Sequence, residues 1–110
     1  MKVTVKITDS FKKEAKPLLK KHKSLTSDLK NLEKDLLLDP ALGTPLGNNT
    51  FKIRLKIASK GKGKSGGARV ITCAKVVQDK VFLLKLYDKS EKETVDDKEL
   101  QILLEATGLL

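Results

Sequence analysis

The chain has one cysteine and one histidine in 110 residues. A single cysteine excludes an internal disulfide, and the two together leave no His/Cys zinc site and no two-histidine acid–base pair. No apolar run approaches the roughly 18 residues of a membrane span. Met1 leads into an alternating segment and not into a secretion signal. The length suits one core, so residues 1–110 are expected to form a single domain. The expectation is a soluble, cytoplasmic protein with no metal and no small-molecule cofactor. Its chemistry then falls to Lys, Arg, Tyr or carboxylates.

Acid is scarce in one place. The chain carries 23 Lys plus Arg against 14 Asp plus Glu, a net charge of +9, yet no acid lies between Phe51 and Gln78. Residues 51–87 hold ten cations against Asp79 alone, while the +4 of residues 1–50 and the −4 of residues 88–110 cancel. A disordered basic tail lacks hydrophobic pattern, and this block is full of it. A basic stretch within patterned strands points to a surface for a polyanion.

Val3, Val5 and Ile7 alternate with polar residues, which predicts a half-buried strand. Asp9 or Ser10 then caps a helix with Phe11, Ala15, Leu18 and Leu19 on one face, and Pro17 predicts a kink or a break near Lys13–Ala15. Leu25, Leu29, Leu32 and Leu36 mark a second helix that stops before Pro40. Residues 40–50 read as a turn-rich connection. Ile53, Leu55 and Ile57 alternate with Lys52, Arg54 and Lys56, a lysine–glycine loop follows, and strands are predicted over Ala68–Val77 and Val81–Tyr87. Asp96 and Glu99 stand at capping-box spacing before a last helix. The expected fold is α+β: a small twisted, mostly antiparallel sheet with helices packed on one face, in the order β-α-α-β-β-β-α. With Ile53, Leu55, Ile57, Phe82, Leu84 and Leu86 turned to the helices, the wet face would carry Lys52, Arg54, Lys56, Lys85 and Tyr87, with Arg69 between them.

Gly63-Lys64-Ser65 invites a nucleotide-loop reading, but position 58 is Ala where that motif needs glycine, and a strand follows where a helix should. Lys60, Lys62 and Lys64 remain either a phosphate-binding rim or a solubilising hairpin tip. A solvated face usually mixes signs, so the unmixed face favours a polyanion. His22 reads as a surface residue at a helix end and Cys73 as core. The carboxylates of residues 88–99 read as helix N-terminal charge.

FKIRLKIASKGKGKSGGARVI, followed by VFLLKLYDKSEKE and preceded by DLKNLEKDLLLDPALGTPLGNN, resembles the RelE/HigB superfamily of bacterial toxin–antitoxin toxins, especially its HigB-like branch. The resemblance covers nearly the whole chain. It implies a messenger-RNA endonuclease acting at the ribosomal A site, held inactive by a cognate antitoxin of helix-turn-helix type. By position, Lys52 and Arg54 match the two basic residues of the first long strand, Arg69 the arginine opening the next, Lys89 a basic residue after the last, and Tyr87 the aromatic at that strand's end. Lys60, Lys62 and Lys64 match the family's basic loop, where ribosomal RNA contact is implied. The RelE type's C-terminal tyrosine falls near Val95 here, a departure.

The implied reaction is attack of a ribose 2′-OH on its own 3′ phosphate without metal. It needs a base, charge against the developing phosphorane and a proton for the leaving 5′ oxygen. A lysine ordinarily titrates near pH ~10.4, and one crowded by other cations gives up its proton more readily. The expected assignments are Lys52 or Lys89 for proton transfer, Arg54 and Arg69 for phosphate, and Tyr87 for base stacking or orientation, with Lys56 and Lys85 adding RNA contacts. Arg69→Ala is expected to abolish cleavage with little loss of stability. Two rivals are a ParE-like gyrase inhibitor, which needs no such cluster, and a module that binds RNA without cutting it.

Overall fold

A computed structural model describes residues 3–60, 67–75, 78–89 and 95–109. The elements run β1 (Thr4–Ile7), α1 (Asp9–Lys21), α2 (Leu25–Leu38), β2 (Thr44–Gly47), β3 (Thr50–Leu55), a short 3-10 turn at Ala58–Lys60, β4 (Ala68–Lys75), β5 (Lys80–Asp88) and α3 (Asp97–Thr107). The strands form one mixed sheet in the order β1-β5-β4-β3-β2, parallel only between β1 and β5. The α+β class and the mostly antiparallel sheet are as expected. Among the described residues no helix is long and apolar enough to cross a membrane.

Several local expectations need correction. The connection over residues 40–50 contains β2, which closes a hairpin onto β3 through Asn48 and Asn49, both at positive φ. Asparagine tolerates that left-handed backbone, so the turn residues themselves make a strand pair. Thr8 caps α1: its Oγ1 accepts from the Phe11 N–H at 3.3 Å and donates to the Leu83 carbonyl at 2.7 Å. α1 runs through Pro17 without a break. Phe11, Ala15 and Leu18 are buried along one side, while Pro17 faces solvent, where water can take the carbonyl its missing N–H leaves.

Helices occupy both faces of the sheet. α1 and α2 bury Phe11, Ala15, Leu18, Leu25, Leu32 and Leu36 against Ile53, Leu55, Val70, Val81, Leu83 and Leu86. α3 lies on the opposite face, where Leu100 and Leu104 meet Ile71, Cys73, Leu84 and Tyr87. The cause is an irregularity in the β4–β5 ladder: Ile71 pairs with Lys85 but Thr72 with Leu83, so Leu84 is an extra residue. The bulge shifts the alternation by one. Leu83 and Leu86 therefore face α1 and α2, while Phe82 and Leu84, expected beside Leu86, form the seat of α3. Asp96 caps α3, its Oδ1 accepting the Glu99 N–H at 2.8 Å, and Gly108 ends it at φ 71°.

Candidate functional site

On the α3 side of the sheet, β3, β4 and β5 align two cross-strand rows. Lys52, Ile71 and Lys85 form one, and Arg54, Arg69 and Tyr87 the other. Strands stand about 4.8 Å apart and alternate residues about 7 Å apart. The expected face is therefore assembled, but α3 covers part of it. Arg54 and Lys56 are exposed and Lys52 half-buried, whereas Arg69 is 1% and Tyr87 2% exposed. The Arg69 Nη1 donates to the carbonyl of Ala68 at 3.1 Å. Tyr87 sits among Ile71, Leu84, Val95 and Leu100. Its ring is not open for base stacking as expected, because α3 packs over the face that carries it.

Lys85 is drawn into the framework. Its Nζ lies 2.6 Å from Glu14 Oε2 on α1 and 3.8 Å from Glu99 Oε2 on α3. The other Glu14 oxygen accepts the Leu86 N–H at 3.3 Å, and Ser10 Oγ donates to the Leu84 carbonyl at 2.8 Å. β1 ends opposite Leu83, so α1 side chains serve the stretch of β5 that has no strand beside it.

The stem of the lysine loop is anchored from two sides. Ser24 Oγ donates to Asp28 Oδ2 at 2.7 Å, Asp28 Oδ2 also accepts the Ala58 N–H at 3.2 Å, and the Ser59 N–H reaches Ser24 Oγ at 2.8 Å. These bonds fix the turn holding Lys60 to the start of α2. On the far side, a Cβ on Gly67 would lie 2.0 Å from the Leu55 carbonyl oxygen, and the Gly67 carbonyl accepts the Lys89 N–H at 3.2 Å. Only glycine permits that approach. Lys89 is thus held at the end of β5. Lys62 and Lys64 lie outside the described residues.

Sequence reasoning missed Asp28, Ser24, Ser59 and Glu14, because residues 30 or more positions apart in the chain carry no shared local signal. It also misplaced His22. The side chain is buried, not on the surface, with Nε2 3.9 Å from Asp88 Oδ2. Asp88 pairs with Ala68, a residue of the α1/α2 core, so His22 stands behind the basic face. Cys73 is buried under α3, and burial pushes its thiol above the ordinary value of 9.0. Among the described residues no three His, Cys, Asp or Glu side chains gather as metal ligands.

Beyond β2, the free edge of β3 opens onto a groove of about 540 Å³ between Lys52, Arg54 and Lys56 and the α2 residues Asn31 and Asp35. Exposed cations beside an open groove, with α2 and the anchored turn as walls, make a surface that can hold an anionic chain and set positive charge against it.

A family model described as the RelE toxin of the RelE/RelB toxin–antitoxin system matches residues 2–110. Among solved structures, an Escherichia coli RelE double arginine-to-alanine variant in the free state aligns with a TM-score of 0.59 at 17% identity, over 84% of this chain and 90% of that one. A metal-bound toxin from Helicobacter pylori aligns at 21% identity over 81% of this chain and 97% of that one, with a TM-score of 0.44. The first likeness supports the fold. A basic two-row sheet face, a RelE-type fold and a family match along the chain converge: the protein belongs to the RelE toxin family, a toxin whose system implies an antitoxin partner.

Proposed function

We propose that the protein is a cytoplasmic endoribonuclease that cuts messenger RNA on the ribosome and is neutralised by a cognate antitoxin. The observation that carries this reading is the row Arg54–Arg69–Tyr87 beside Lys52 and Lys56, cationic and partly open to solvent. In the proposed reaction a 2′-OH loses its proton as its oxygen attacks the adjacent phosphorus. The P–O5′ bond breaks, and the leaving oxygen takes up a proton, giving a cyclic phosphate and a 5′-OH. Lys52 and Lys89 are the proton-transfer groups, and no metal is required.

Arg54 stabilises the phosphorane directly. Arg69 acts from beneath: it is directly opposite Arg54, and its positive charge raises the local potential while repelling Arg54 outward toward the phosphate. Tyr87, opposite Arg69 on β5, packs beside it and positions it. Lys56 tracks the RNA backbone, with Lys60, Lys62 and Lys64 toward ribosomal RNA. Lys85, already paired with Glu14, serves the framework more than the RNA. The ribosome supplies in-line geometry by holding the message. The test is incubation with programmed ribosomes: message should be cut at the A-site codon by the natural protein and not by Arg54→Ala. Gyrase inhibition with intact message would favour the ParE-like reading instead.

A further inference from the structure

β2 pairs with β3 only from Thr50 to Lys52, so among the described residues the backbone of residues 53–56 has no strand on that side. α2 runs beside this edge, and Asn31, Leu32 and Asp35 line the groove of about 540 Å³ between them. Their spacing of one, three and four residues puts them on one side of the helix. Arg54 and Lys56 stand on the opposite wall. Arg54, Lys56, Asn31 and Asp35 are exposed, and none of these four side chains has a hydrogen bond or ion pair among the described residues. Opposite charges thus face each other across the groove without closing it. Asp35 lies in the last turn of α2, where a carboxylate works against the helix dipole, so helix stability does not account for it. The floor is apolar, with Leu32 and Ile53 buried. Gly43 ends the groove: at φ 105°, a Cβ there would lie 2.5 Å from the Lys52 carbonyl oxygen, so the chain closes directly on β3.

We propose that this groove is a base-reading subsite that takes a guanine of the bound RNA, with Asp35 and Asn31 as the specificity-determining residues. This rests on the nuclease reading and adds the base that the site selects. Arg54 belongs to the row Arg54–Arg69–Tyr87 and also lines the groove, so the base belongs to a nucleotide next to the scissile phosphate. Lys56, two residues along β3, holds the adjoining phosphate. A carboxylate only accepts, and it takes two parallel N–H groups well. Guanine offers N1–H and N2–H side by side to Asp35, and its O6 next to them accepts from the Asn31 amide one helical turn away. Adenine and cytosine set a ring acceptor beside one exocyclic amine, and uracil sets one N–H between two carbonyls. Each of these turns a lone pair toward an Asp35 oxygen, which is unfavourable.

The probes are four 2′-O-methyl RNA tetramers that differ at one base and, lacking the attacking hydroxyl, are not cut. The guanine tetramer should bind at least about fivefold more tightly than the other three, the lower bound for one bidentate base contact. Backbone amide shifts with it should appear at residues 31–35, Gly43 and residues 54–56. Asp35→Ala should bring the guanine tetramer down to the affinity of the others while the thermal midpoint stays the same or rises. A purely structural role for Asp35 would lower that midpoint instead. Equal affinity for the four tetramers, a guanine preference kept by Asp35→Ala, or shifts that spare α2 would overturn the proposal. So would guanosine monophosphate binding as tightly as the guanine tetramer, since the site would then serve a free nucleotide. These titrations involve no cleavage, so their failure and that of the nuclease reading are separable.

Discussion

Arg54 on β3 and Arg69 on β4 are directly opposed in the sheet. Like charges at such a position destabilise a sheet by roughly 0.2–1 kcal/mol relative to a neutral pair. Arg54 is exposed, so replacing it removes repulsion and little packing. Arg54→Ala is expected to lower message cleavage at least about 100-fold, the loss typical of one transition-state donor, while urea unfolding shows equal or slightly greater stability. Arg69→Ala is different. Its side chain is buried, so the early expectation of a harmless substitution gives way to a loss of about 1–3 kcal/mol from packing and polar contacts.

Salt should report the RNA contacts one at a time. Each phosphate neutralised on a single strand contributes about −0.7 to the slope of log affinity against log salt. Lys56→Ala should make the slope shallower by about 0.7, with fluorescence anisotropy of a labelled RNA as the readout, and Lys85→Ala should leave it nearly unchanged because Lys85 is held by Glu14.

Lys85 and Glu14 instead predict a stability effect. Their 2.6 Å contact is a charge-assisted bond between partly covered side chains, and Glu14 also serves the Leu86 N–H. Lys85→Met and Glu14→Gln should each cost about 1–2 kcal/mol. In a double-mutant cycle the two losses should fall short of additive.

How much of this was legible in the chain depends on the range of the interaction. The four-three-four leucine spacing of α2, the Asp96–Glu99 cap and the Lys52–Ile57 alternation are local patterns, and each element formed where it was expected. The bulge at Leu84 left no local mark, since an apolar run such as Val81–Leu84 reads alike in either phase. That one residue turns Phe82 and Leu84 to the second face, where they seat α3 beside Tyr87. The Asn48–Asn49 hairpin was hidden for the opposite reason: its turn signals were strong, and β2 is four residues long. The Asp28 anchor and the His22–Asp88 approach exist only after folding.

Gly67 is expected to be the least replaceable residue of the loop stem. A Cβ there would sit 2.0 Å from the Leu55 carbonyl oxygen, so Gly67→Ala must separate β3 from the start of β4. A loss of about 2–4 kcal/mol in urea unfolding is expected, together with reduced cleavage.

Cys73 gives a pH dependence with a definite sign. Burial raises its thiol in the folded chain, so above the unfolded value near 9.0 the unfolded state releases the proton first. The native state then binds more protons, and stability falls as pH rises. Natural protein should lose more stability between about pH 8.5 and 10 than Cys73→Val, compared by urea midpoints at each pH.

The most direct measurement of the central claim is the fate of message on programmed ribosomes with natural protein and with Arg54→Ala, both shown to be folded by circular dichroism. Cleavage at the A-site codon, leaving a cyclic phosphate and a 5′-OH, with at least about 100-fold slower cutting by Arg54→Ala, is the expected result. Intact message with natural protein, or equal cutting by the variant, would contradict the assignment of the basic sheet face as the site of RNA cleavage.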